Sequence, residues 1–147
     1  MNKLQKLENI SPTKITYRRY PDFSYGVFRR TEIVDNNTII VTDNFIEIDK
    51  NINKYKKLAV LAHEIGHAIC FQNNCKCVTE KSNYIAEFHA NYFALNWLKE
   101  NKCKKSLKWL INLINQQQHD YDVHGEAARK IKRTKLYRDC LEELKCV

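Results

Sequence analysis

Five consecutive residues, His63-Glu64-Ile65-Gly66-His67, have types and a spacing that can do chemistry. On an α-helix, residues four apart share a face, with Cβ atoms about 5–6 Å apart. Two imidazoles placed there can converge on one Zn²⁺ at about 2.0–2.1 Å from each nitrogen. Glu64 follows His63 directly, so it stands beside such a metal without having to ligate it, the place a general base for bound water must occupy. The expected chemistry is metal-assisted amide hydrolysis: zinc brings the pKa of its water toward about 7 and polarises the scissile carbonyl, and Glu64 carries the proton to the leaving amine. Gly66 costs about 1 kcal/mol relative to Ala inside a helix, and close approach of a neighbouring backbone is the natural compensation.

A catalytic zinc takes a third protein ligand and keeps an open fourth position. The metzincin continuation would place Gly at 70 and His at 73. This chain has Cys70 and Asn73 there, which excludes that class. A Glu from a following helix is the alternative, and Glu87 fits, 20 residues after His67 and near the start of the next helical segment. Ala90 lies about one turn beyond it, small enough to let the second helix pack closely beside Gly66. The rivals are His89, Glu80 and Cys70. His89 is two residues from Glu87 and so points about 200° away on a helix. Cys70 could approach the metal, but burial as a small apolar residue is the commoner fate of such a thiol. For stabilising the oxyanion, the polar group His119, Tyr121 and His124 is available, with His124 and Tyr121 the better placed. A solvated loop with a helix cap is the favoured reading of that group, and the oxyanion role the alternative.

The elements that must position these residues follow from periodicity. From Lys14 to Asp49 the pattern is β, with strands predicted over Ile15–Tyr20, Gly26–Val34, Thr38–Thr42 and Phe45–Ile48. Asp35-Asn36-Asn37 and Asp43-Asn44 are the turn candidates, Asp and Asn between β-branched runs being a hairpin signature. After Asp49 the period becomes helical. Asn53 can cap a helix to about Phe71, with Leu58, Leu61, Ala62, Ile65 and Ile69 as its apolar face. Gln72–Ser82 reads as a loop. Further helices are predicted over Asn83–Asn101, over Lys104–Gln117 with Leu107, Leu110, Ile111 and Ile114 buried, and over Glu126–Lys145. Strands first and helices after make an α+β fold, with a small N-terminal antiparallel sheet followed by a helical bundle that carries the zinc helix.

A length of 147 residues reads as a single domain. Residues 1–13 are expected to form a loose arm or a short helix, and 119–147 a C-terminal basic helical segment. The composition is 44% hydrophobic and 29% charged, which is globular and excludes a disordered tail. Met1–Pro12 has no apolar core of the kind a secretory signal needs, and no run approaches the roughly 18 apolar residues of a membrane span, so a cytoplasmic location is expected. In a reducing cytosol the six cysteines would be thiols. Cys75-Lys76-Cys77 hints at a second metal site, although plain loop thiols are the favoured reading, since no CxxC pair supports it. The net charge of +8 favours acidic partners, either nucleic acid or an acidic protein surface. Arg129, Lys130, Lys132, Arg133, Lys135 and Arg138 crowd the last helix; a solvated face is favoured there over nucleic-acid contact.

The sequence His63-Glu64-Ile65-Gly66-His67, followed by Glu87-Phe88-His89-Ala90-Asn91-Tyr92-Phe93-Ala94, resembles the ImmA/IrrE family of metallopeptidases, whose pattern is HExxH and then a Glu-x-x-Ala-Asn-x-Phe-Ala helix. The resemblance covers roughly Gly26 to Lys99. It implies a minimal zincin-like fold and a thermolysin-like, gluzincin-type site with one catalytic Zn²⁺ held by His63, His67 and Glu87 and with Glu64 as base. It implies a protein substrate, a helix-turn-helix repressor or other transcriptional regulator of a phage, mobile element or stress response. With no run long enough for a membrane span, no membrane partner is expected. A second reading keeps the metal site as structural or vestigial and makes the chain a docking module that antagonises a regulator without cutting it; an intact Glu64 speaks against that reading.

Overall fold

A computed structural model describes residues 1–19, 26–35, 38–75 and 84–145. The expected α+β order holds, with one helix added in front. Asn2 and Gln5 close a reciprocal cap: the Asn2 side chain accepts the Gln5 N–H at 2.8 Å and the Gln5 side chain accepts the Asn2 N–H at 3.1 Å. This cap starts α1 (Lys3–Asn9), whose Leu7 is fully buried, so of the two alternatives for the N-terminal residues the helix is the one observed.

Three strands follow, β1 (Lys14–Arg18), β2 (Gly26–Asp35) and β3 (Thr38–Asp49), in the spatial order β1-β3-β2. β2 and β3 form the expected antiparallel hairpin, from Gly26 opposite Ile48 to Asp35 opposite Thr38. β1 departs from the antiparallel expectation: it runs parallel to β3, with Lys14 opposite Phe45 and Arg18 opposite Asp49. A parallel neighbour needs a crossover, and here β2 itself serves as the connection between β1 and β3. The two predicted strands at 38–42 and 45–48 are one. The register slips between Thr31 and Glu32, which pair with Asp43 and Val41, and this leaves Thr42 as an extra residue. Asp43-Asn44 therefore follows a bulge, where one added residue bends the strand without ending it. Ile46 and Ile48 point into the core, and Glu47 lies on the other face, paired with Arg18 at 3.0 Å and Arg29 at 3.1 Å.

The remaining elements are α2 (Lys54–Gln72), α3 (Ile85–Glu100), α4 (Lys104–Gln117), α5 (Val123–Ile131) and α6 (Lys135–Lys145). Asn53 caps α2 as expected, accepting the Lys56 N–H at 3.3 Å. α2 is the central element. It packs on β2 and β3, on α3 and on α4, and Leu58, Ala59, Leu61, Ala62, Ile65 and Ala68 are all buried. Being covered on several sides explains why its apolar residues exceed one stripe. α4 spans the predicted residues and buries the predicted stripe Leu107, Leu110, Ile111 and Ile114.

The helix predicted over Glu126–Lys145 is instead two. Thr134 divides them: its hydroxyl donates to the Ile131 carbonyl at 2.6 Å and accepts the Tyr137 N–H at 3.2 Å, so it closes α5 and caps α6. The predicted connection His119–Gly125 is correspondingly shorter, because Asp122 caps α5 through the Gly125 N–H and draws His124 into the helix. Part of the basic run has internal work. Arg129 donates to the carbonyls of Gln118 and Asp120, both at 2.8 Å, Lys132 to the Gln118 side chain at 2.7 Å, and Lys135 pairs with Asp139 at 2.9 Å. No helix among the described residues is long and apolar enough to cross a membrane.

Candidate metal centre

α2 presents His63 and His67 one turn apart, with ring centroids 4.8 Å apart and ring planes near perpendicular. Their Nε2 atoms are 3.2 Å apart. Glu87, in the first turn of α3, reaches both: Oε2 lies 3.1 Å from His63 Nε2 and Oε1 lies 3.2 Å from His67 Nε2. Ligands at about 2.0–2.1 Å around a tetrahedral zinc are separated from one another by about 3.3 Å. The two ring nitrogens and the carboxylate thus stand at the mutual spacing of three such ligands, and these residues fit the metal.

The approach of α3 that brings Glu87 here depends on Gly66. A Cβ at Gly66 would lie 2.8 Å from the Ala90 Cα and 3.1 Å from the Ala90 carbonyl oxygen. Ala90, one turn after Glu87, is itself fully buried. The unfavourable helix-interior glycine and the small residue opposite it are one feature, a close crossing of two helices, as the sequence suggested.

Asn91 completes the arrangement. It is 4% exposed, one turn beyond Glu87 on α3, and its Oδ1 lies 2.9 Å from His63 Nδ1. An amide oxygen can only accept, so the proton of a neutral His63 sits on Nδ1 and the Nε2 lone pair is left to face Glu87 and His67. Fixing a ligand's tautomer through its far nitrogen is the usual second contact of a metal-binding histidine. Sequence reasoning gave Asn91 no role. The available signal was its place in the pattern Glu87-Phe88-His89-Ala90-Asn91, four positions and about one helical turn from Glu87.

The electrostatics favour a cation. Burial disfavours the charged His63 ring, but the hydrogen bond and charge of Glu87, together with Glu64 and Asn91, outweigh it and raise His63 to about 9. Burial also opposes the Glu87 carboxylate, yet hydrogen bonds from His124, His63 and His67 hold it far below the ordinary carboxylate range. A cluster that binds protons this firmly through negative charge would bind a divalent cation for the same reason.

Glu64 is 9% exposed. It lines a cleft with His63, His67, Glu87, His124 and the first residues of β2, Gly26, Val27 and Phe28. An apolar extension of the cleft beside Glu64 is walled by Ala59, Val60, Trp109, Leu110 and Leu113. His124 comes in from α5, its Nδ1 3.3 Å from Glu87 Oε2, and that hydrogen bond pulls its pKa upward. Tyr121, the other expected donor, is fully exposed, and His119 is exposed too. Of the rival ligands, His89 lies outside the cluster, with its Nδ1 3.4 Å from the Sγ atoms of both Cys70 and Cys75. Cys70 is accordingly only half-buried, in contact with His89, and not an apolar filler as expected. Glu80 and Cys77 lie outside the described residues.

No curated protein and no solved structure matched the chain. Residues 13–98, more than half of it, match the family model described as the IrrE N-terminal-like domain of the M78 peptidases, a span that begins just before β1 and takes in all of β2, β3, α2 and the site residues of α3. By that match the chain belongs to the ImmA/IrrE family of metallopeptidases.

Proposed function

We propose that this chain is a zinc-dependent endopeptidase that cuts a regulatory protein, with His63, His67 and Glu87 holding a single catalytic Zn²⁺ and Glu64 as general base. The observation that carries the proposal is the convergence of two imidazole nitrogens and one carboxylate at 3.1–3.2 Å beside a buried glutamate in an open cleft. Bound there, zinc supplies a Lewis acid that polarises the scissile carbonyl and acidifies a water. Glu64 takes a proton from the attacking water as the O–C bond forms and returns it to the amide nitrogen as the C–N bond breaks. His124, held at the cleft wall by Glu87, donates its N–H to the negative charge that develops on the carbonyl oxygen. Tyr121 receives no part, since it faces solvent.

The substrate lies extended along the edge of the sheet. Thr38–Thr42 belongs to β3, the middle strand, and pairs with the far end of β2. Its neighbour β2 is an edge strand, and Gly26–Phe28 border the cleft, so backbone pairing along those residues would carry a peptide past Glu64. The apolar extension would take a hydrophobic side chain next to the cut bond. The regulator is a transcriptional repressor of the helix-turn-helix type, as the family resemblance implies, met in the cytoplasm.

The test is a mass-spectrometric cleavage profile on a proteome-derived peptide library, comparing wild type with Glu64→Gln. The proposal expects metal-dependent cuts that vanish in the variant while its metal remains. A Glu64→Gln protein that keeps its full effect on a regulator would instead establish the non-proteolytic docking module.

A further inference from the structure

The rival ligands of the first site form a cluster of their own. α2 ends at Gln72 with Asn73 as its C-cap, and Asn74 takes a left-handed conformation with φ 52°. The Cys75 N–H then donates to the Cys70 carbonyl at 3.0 Å and the Asn74 N–H to the Phe71 carbonyl at 3.2 Å. These two bonds make a Schellman turn, which folds Cys75 back over the last turn of α2, beside Cys70. From α3, His89 faces the same spot. Its Nδ1 lies 3.4 Å from Cys70 Sγ and 3.4 Å from Cys75 Sγ, and all three atoms lie within 4.8 Å of one another.

We propose that Cys70, Cys75 and His89 form a second metal site, structural in role, for a thiolate-preferring divalent cation, zinc being the member of that class it would take. Zn–S bonds of about 2.3 Å and Zn–N bonds of about 2.0–2.1 Å at tetrahedral angles put sulfur about 3.6 Å from nitrogen, close to both observed separations. A single cation would take all three atoms as ligands at once. Binding would convert each thiol to thiolate and release two protons to solvent, while His89 stays neutral and gives its Nδ1 lone pair.

The site differs from the first in donor chemistry and in purpose. Two sulfurs and one nitrogen suit a closed structural site, whereas two nitrogens and one carboxylate suit catalysis. Cys70 is three residues after His67 and His89 is two after Glu87. The second ion would therefore join the same two helices close to where they hold the first, and fix the start of α3 that carries Glu87. The inference does not depend on the peptidase reading, because none of its three residues belongs to that site.

Cobalt substitution tests it, since thiolate-bound Co²⁺ has a near-ultraviolet charge-transfer band that nitrogen and carboxylate ligands lack. Reduced wild-type protein titrated with Co²⁺ should bind two ions per chain and show the band. Cys70→Ser/Cys75→Ser should bind one and lose it, His63→Ala/His67→Ala should bind one and keep it, and Cys103→Ser/Cys140→Ser should bind two and keep it. A second readout on wild type guards against a variant that does not fold: bound Zn²⁺ should shield Cys70 and Cys75 from alkylation, mapped by mass spectrometry, and chelation should expose them. No band in wild type, a band that survives in the folded Cys70→Ser/Cys75→Ser protein, or alkylation of these two thiols that zinc does not slow would overturn the proposal.

Discussion

The Gly66–Ala90 crossing should set the metal affinity, and Gly66→Ala tests this directly. The added methyl would sit 2.8 Å from the Ala90 Cα, a backbone atom that cannot rotate away. Ordinary contact begins at 3.4 Å, so α3 must retreat by at least about 0.6 Å, close to the metal end of the helix pair. Metal–ligand distances tolerate only about ±0.2 Å, and Glu87 is one turn from the point of collision. Overpacking of this kind costs about 1–3 kcal/mol, and replacing a helix-interior Gly by Ala returns about 1 kcal/mol. The fold should thus lose no more than about 2 kcal/mol, while zinc affinity falls by about tenfold or more, the low end of what disturbed ligand support usually costs. Urea unfolding in the presence of a chelator reads the first quantity and competition with a chromophoric chelator the second. A Gly66→Ala protein with wild-type zinc affinity would refute the argument that this contact positions Glu87.

Asn91→Ala removes the acceptor that holds the His63 tautomer; zinc affinity should fall by about 10- to 100-fold, and an unchanged affinity in the same chelator competition would remove Asn91 from the site. His124→Ala should lower kcat by about 10²–10³ with metal content and KM little changed, as loss of an oxyanion donor does; a selective rise in KM would make it a binding residue instead. Cys140 is fully buried, and burial pushes its thiol up to about 11. Because its folded pKa lies above the ordinary thiol value, its contribution to stability is complete below about 8.5 and is lost as pH rises toward about 11. Chemical denaturation across that range should show wild type losing more stability than Cys140→Ala, and parallel slopes would count against the assignment.

What could be read from the sequence was what repeats locally. Asn53 and the stripe from Leu58 to Ile65 define α2 because capping and helical period act within a few residues. The same holds for α4, whose span and buried face agree with expectation. Gly66 and Ala90 were also legible, since a glycine that weakens its own helix asks for a partner. The departures arise where distant segments meet. β1 is parallel because β3 offers its second edge, a choice that strand pattern alone does not reveal. Asp43-Asn44 has turn-forming residues but follows a bulge, because the hairpin register holds on both sides of it. The break at Thr134 carries neither Gly nor Pro and is made by one hydroxyl bonding both ways. Asn91 and His89 could be placed on their helix from sequence, but not against His63 or against Cys70 and Cys75, which depend on how α3 rotates onto α2.

Zinc content by elemental analysis, on wild type and on Glu87→Ala purified alike and checked for folding by circular dichroism, tests the central claim most directly. The account predicts that the variant holds one zinc per chain fewer than wild type, whatever the second cluster binds, because Glu87 touches both histidines of the first site and is not a member of the Cys70, Cys75 and His89 cluster. Equal zinc in the two folded proteins, or no zinc in wild type, would contradict the three-ligand centre and with it the proposed hydrolysis.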